Sequence, residues 1–106
     1  MGFIYHVVLP VEWGKFEGLD FYVHASLGIE GFIHCSYAGQ IAGVLERYYK
    51  GEKEVLILKI DVGLLTSRLE VERAANGELY PHVYGKINRG AVVGVERKEL
   101  KTVAKL

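Results

Sequence analysis

Histidine changes charge near neutral pH, so it is the side chain most readily turned to acid–base work or to gripping an anion or metal. Three of this chain's four histidines stand in strand-like apolar segments. His6 lies in Phe3-Ile4-Tyr5-His6-Val7-Val8-Leu9, His34 in Gly31-Phe32-Ile33-His34-Cys35-Ser36, and His82 in Tyr80-Pro81-His82-Val83-Tyr84-Gly85. A titratable ring among such neighbours reads as part of a site. His24 reads differently, as a solvated loop residue.

Alternation along a strand puts Phe32, His34 and Ser36 on one face and Ile33 and Cys35 on the other. Ser36 reads as the N-cap of a following helix, whose free N–H groups and positive end suit a phosphate beside His34. Gln40, one turn further on, reaches the same place. The plainer reading of this segment is a core histidine bonded to a carbonyl, with Ser36 as a simple cap. In the later segment Pro81 keeps Tyr80 extended, so Tyr80, His82 and Tyr84 share a face. They could clamp a flat ring such as nicotinamide or adenine, while Gly85 lets the chain turn away. The competing reading is a tyrosine-rich turn packed on the core. His6 shares a face with Ile4 and Val8 and, if buried, must find a partner in a ligand or a carbonyl.

Other chemistries are weaker. Cys35 points away from His34 and reads as an inert buried thiol. His6, His34 and His82 would leave an open position on zinc, but no His-x-x-x-His or Cys-x-x-Cys spacing supports a metal. Arg68, Glu70, Glu72 and Arg73 read as a solvated strand face, and Trp13 as a cover for the core. There is no Gly-rich phosphate loop.

The elements that must position these residues read as one α+β domain over 1–106. Strands are expected at Phe3–Leu9, Phe32–Cys35, Glu54–Asp61, Leu69–Glu72 and Ala91–Val95. A short helix fits Val11–Phe16, and the main helix carries Tyr37, Ile41, Val44, Leu45 and Tyr48 at helical spacing. Residues 98–106 read as an edge strand or a frayed tail. The sheet is expected to be mainly antiparallel and split. Thirteen basic residues balance thirteen acidic ones, so charge does not indicate nucleic acid as a partner. No apolar run approaches the roughly 18 residues a membrane span needs. With no signal-peptide pattern and a single cysteine, a cytoplasmic location is expected.

The order Ile4-Tyr5-His6, Ser26-Leu27, Glu30-Gly31-Phe32-Ile33-His34-Cys35-Ser36 with Gln40, and Tyr80-Pro81-His82-Val83-Tyr84-Gly85 resembles the family catalogued as domain of unknown function 952. The resemblance covers nearly the whole chain and stops before Lys98. It implies an ADP-ribosyltransferase-like fold, a split antiparallel sheet around an NAD-binding cleft, with RNA 2′-phosphotransferases as the nearest likeness. On that resemblance His6 lies against the nicotinamide ribose, and His34 with Ser36 near the phosphates. Such transferases also need a carboxylate and several arginines. Glu30 and Glu72 are the carboxylate candidates, and Arg47, Arg68, Arg73, Arg89 and Arg97 match no pattern.

Three functions are therefore weighed. The first is a transferase-like enzyme binding NAD or ADP-ribose and acting at the ribose C1 position, by ADP-ribosyl or 2′-phosphate transfer. NAD would be its substrate and no metal is expected. His34 and His6 would be catalytic, and Ser36, Gln40, Tyr80, His82 and Tyr84 would bind the nucleotide. The second is a non-catalytic nucleotide-binding module using the same pocket. The third is a histidine metalloenzyme.

Overall fold

The run Val55-Leu56-Ile57-Leu58 is buried at every position, which requires packing on both faces of its strand. The computed structural model of the protein, which describes residues 2–100, supplies both layers. In chain order the elements are β1 (Phe3–Val8), α1 (Pro10–Gly14), β2 (Phe21–Tyr22), α2 (Ser26–Glu30), β3 (Ile33–His34) and α3 (Ile41–Tyr48). Then follow β4 (Glu54–Asp61), β5 (Arg68–Arg73), β6 (Leu79–Tyr84), β7 (Ile87–Asn88) and β8 (Val92–Glu99). The strands form three sheets, ordered β1-β4-β8, β2-β7 and β3-β6-β5, with antiparallel pairing throughout. The domain is α+β with one main helix, as the sequence pattern predicts. No helix among the described residues is long and apolar enough to cross a membrane.

Alternation along β4 sorts the core. Leu56, Leu58 and Ile60 join Ile4, Val8, Tyr22, Ile33 and Val83 in the larger cluster. Val55 and Ile57 pack with Val7 and Leu45 on the other side, against Ile41, Val44 and Tyr49. Tyr49 thus takes the packing place expected of Tyr48, and its hydroxyl donates to the Val7 carbonyl at 3.0 Å. Tyr48 is 72% exposed at the edge of the helix stripe. Trp13 packs against the larger cluster, as expected.

Ser36 does not cap the helix. A 3-10 turn, Ala38–Gln40, precedes α3, and Gln40 Oε1 accepts the Tyr37 N–H at 2.9 Å. Ser36 instead exchanges backbone hydrogen bonds with Tyr5, at 2.8 and 2.7 Å. Pro81 explains the change. The register pairs His34 with His82, so Cys35 comes opposite Pro81 and donates to its carbonyl at 3.1 Å. Proline has no N–H to return, the β3–β6 ladder ends, and the freed segment crosses to β1. The chain parts from β6 at this point, and Cys35, Ser36 and Tyr80 all line the cavity described below.

The end of β8 differs from expectation. β8 continues past Val95 to Glu99 as an edge strand on β4, so Lys98 and Glu99 belong to the sheet. The rest of the expected edge strand or tail, 101–106, lies outside the described residues.

Candidate functional site

All four histidines line one cavity of about 590 Å³. Their partners differ in kind: a carbonyl and a hydroxyl for His6, a backbone N–H for His24, and a carboxylate for each of His34 and His82. The partner decides what each ring can do.

His6, on β1, is 2% exposed. Its Nδ1 lies 2.6 Å from the His34 carbonyl oxygen and its Nε2 2.9 Å from the Tyr22 hydroxyl. A carbonyl only accepts, so Nδ1 carries the hydrogen and Tyr22 donates to Nε2. Burial keeps the ring neutral, pulling its pKa from 6.5 to about 4. Burial likewise pushes the Tyr22 hydroxyl up, so it stays a donor. Both nitrogens of His6 are taken, and a carbonyl answers its need for a partner.

His24 is half-buried, edge-on to His6 at 5.3 Å between ring centroids. The Ser26 backbone N–H donates to its Nδ1 at 3.1 Å, and the Ser26 hydroxyl sits 3.0 Å from the same nitrogen. Nδ1 is therefore an acceptor, and in the neutral ring Nε2 carries the hydrogen. Burial lowers its pKa. The solvated-loop reading of His24 is thus corrected: α2 and His6 fold the loop onto the cavity. The only sequence signal was Ser26, two residues on.

His34 is no core histidine, since its side chain is 51% exposed. Its Nε2 lies 3.1 and 3.2 Å from the two carboxylate oxygens of Glu30. Glu30 ends α2, and Gly31, at φ 89°, reverses the chain so that β3 passes back beside it.

His82 faces His34 across the β3–β6 ladder, their centroids 5.3 Å apart. Phe32 stacks on the His82 ring at 4.0 Å and 16°. Glu72 Oε1 accepts from His82 Nδ1 at 2.7 Å and from the Tyr84 hydroxyl at 2.7 Å. The bonds from Tyr84 and then His82 hold the Glu72 carboxyl below its ordinary range, and the same contact raises Tyr84.

The structure therefore brings His6, His34, Ser36, Tyr80 and His82 together and adds His24 and Glu30. Gln40 and Tyr84 stand outside the lining. The Gln40 amide donates to Glu78 Oε1 and the Leu79 carbonyl at 3.1 and 2.9 Å, tying α3 to β6. Tyr84 turns to Glu72, with the Arg68 guanidinium 4.3 Å over its ring. The ring clamped against His82 is the chain's own Phe32. Glu72 was one of two carboxylates without a motif; the β5–β6 register sets it diagonal to His82.

Cys35 is buried and its thiol pushed up by that burial, as expected of an inert cysteine. Among the described residues, no three His, Cys, Asp or Glu side chains are arranged to hold a metal ion. The committed nitrogens of His6 explain why the His6, His34 and His82 set does not fit one. Arg73, Arg89 and Arg97 serve the Gly77 carbonyl, the Leu19 and Phe16 carbonyls, and Glu54. Arg47 reaches the cavity wall, donating to the Tyr80 hydroxyl at 2.8 Å.

A family described as "Protein of unknown function (DUF952)" matches residues 7–95. No curated protein matches the chain. The X-ray structure of protein CC0527 from Caulobacter crescentus superposes with a TM-score of 0.80 at 22% identity, over 96% of this chain and 89% of that one. The solution NMR structure of CC0527 gives a TM-score of 0.76 at 22% identity, over 98% of this chain and 89% of that one. At this identity the likeness shows the fold alone.

Proposed function

This chain belongs to the DUF952 family, and from the geometry of its cavity we propose that it is a nucleotide-handling enzyme. It binds NAD or an ADP-ribosylated compound and works at the ribose C1 position, by ADP-ribosyl or 2′-phosphate transfer. One observation carries the reading: four histidines line a single cavity together with the carboxylate of Glu30. The parting of the antiparallel sheets beside this cavity supports taking the architecture as ADP-ribosyltransferase-like.

The roles follow from which atoms are left over. Release of a base from C1 calls for a carboxylate near a ribose hydroxyl, and Glu30 is the acidic residue on the lining. His34, with Nε2 on Glu30, keeps Nδ1 for acid–base work or a phosphate, beside Ser36. Tyr48 and Tyr80 offer flat walls for a base. His6 positions rather than contacts: its Nδ1–H fixes the His34 backbone. The volume, about 590 Å³, falls in the ordinary range for small-molecule sites.

A thermal-shift series with NAD, ADP-ribose, nicotinamide and a 2′-phosphorylated nucleotide tests this, with His34→Ala beside the wild type. A ligand at a hundred times its dissociation constant adds about 2.7 kcal/mol. A rise with NAD or ADP-ribose, absent from a folded His34→Ala protein, supports the reading. Binding without turnover would make the domain a nucleotide-binding module. No shift with any of the four ends the nucleotide reading.

A further inference from the structure

Two histidines of the cavity have their neutral tautomers fixed in opposite senses. A carboxylate oxygen can only accept, so Glu72 at 2.7 Å requires the hydrogen on His82 Nδ1 and leaves Nε2 as a lone-pair acceptor. A backbone N–H can only donate, so Ser26 requires a bare Nδ1 on His24 and puts the hydrogen on Nε2. Both histidines line the same cavity. We propose that the cavity is polarised for proton transfer, with His82 Nε2 as the base that takes a proton from the bound ligand, Glu72 as its positioning residue, and His24 Nε2–H as a hydrogen-bond donor to the same ligand. The inference rests on reading the cavity as the site, and not on the ligand being NAD.

Preorganisation singles out His82. Its side chain is 10% exposed and that of its partner Glu72 41%, against 51% and 47% for His34 and Glu30. Phe32 fixes the plane of the His82 ring by stacking at 4.0 Å. Glu72 is itself fixed by the Tyr84 hydroxyl at 2.7 Å. Arg68, 4.3 Å over the Tyr84 ring, is anchored in turn on Glu70 at 2.7 Å. This is the orienter–base arrangement that activates a hydroxyl in nucleophilic enzymes. In the step, a ligand O–H bond breaks, its proton goes to Nε2, and the electron pair stays on the ligand oxygen. The Glu72 carboxylate faces the imidazolium that results. The chemical class that fits carries a hydroxyl for His82 and a lone-pair oxygen for His24, as a ribose or another polyol does.

Ring-nitrogen correlation NMR of the ¹⁵N-labelled full chain, without ligand at about pH 8, above the ordinary histidine range, tests the proposal. The expected spectrum shows His82 as the Nδ1–H form and His24 as the Nε2–H form. Glu72→Val should convert His82 to the Nε2–H form and leave His24 unchanged, and Glu72→Gln should restore part of the original signal. An Nε2–H tautomer at His82 in the wild type overturns the proposal, as does an unchanged His82 in folded Glu72→Val. If Glu72→Val fails to fold, the wild-type spectrum and Glu72→Gln decide. With any turned-over ligand, Glu72→Val should lower kcat on the order of a hundredfold with KM little changed; a KM effect alone would also overturn it. The tautomers are read with no nucleotide present, so failure of the NAD reading is separately visible.

Discussion

His6 and His82 are almost equally buried, at 2% and 8% exposed, yet they are opposite kinds of residue. His6 has a carbonyl on one nitrogen and a tyrosine hydroxyl on the other. It joins β1 to β3 and has nothing left to offer a ligand. His82 has one nitrogen on Glu72 and the other unclaimed on a cavity wall. Burial alone would rank the two together. Counting committed ring nitrogens separates a histidine that holds the fold from one placed to work.

The largest effect that tests this contrast is on stability. His6→Ala removes a buried ring and strands the Tyr22 hydroxyl and the His34 carbonyl, and should cost about 3–5 kcal/mol in a denaturant melt. His82→Ala, losing one hydrogen bond and the Phe32 stack, should cost roughly 1–2 kcal/mol. Equal losses would break the comparison.

Acid should separate them next. The folded-state value of His6, about 4, lies below its ordinary 6.5, so the unfolded chain takes up the proton first. Stability is whole above about pH 6.5, falls as pH drops, and has lost roughly 3 kcal/mol by about pH 4. His24, also lowered by burial, acts in the same sense. Glu72 acts in a lower window. Its carboxyl is held down by Tyr84 and His82, so its contribution stands above the ordinary carboxylate value and goes only as pH falls through the folded one. A pH series of melts should show the upper step shrink to the His24 part in His6→Gln, which keeps a donor and an acceptor but not the titration.

Tyr22→Phe sharpens the contrast by giving His6 an unclaimed nitrogen. It should cost about 1–2 kcal/mol and shift the His6 Nε2 resonance seen by NMR. His34→Ala should be smallest, under about 1 kcal/mol, because exposed ion pairs contribute little. Its effect belongs in ligand binding, and a large stability loss there would reassign His34 to the fold.

Much of the fold was legible because its strongest signals are local. The apolar runs of β1 and β4 and the stripe of Ile41, Val44 and Leu45 each identify an element by its own residues, whereas β6 stays open between a strand and a tyrosine-rich turn. The site was legible only in part, because its partners come from tertiary register. Glu72 reaches His82 through β5–β6 pairing, and Glu30 reaches His34 because Gly31 turns the chain back. His24 is not legible as part of the cavity because the ring it packs against, His6, lies on β1, far off in sequence. Ser36 has the look of any serine before a helix. What redirects it is the backbone of Tyr5, and no spacing rule carries that information.

Pro81 bears on how this domain could change over time. The β3–β6 ladder ends opposite it for want of one backbone hydrogen. The end of the ladder is therefore set by the main chain and not by the size of the side chains around it. Replacing Tyr48, Tyr80 or Val44 would alter the shape and polarity of the pocket without closing it. Relatives with this proline could drift to new ligands by exchanging wall residues alone, while a lineage that lost it would be free to zip the two strands further and give up the pocket.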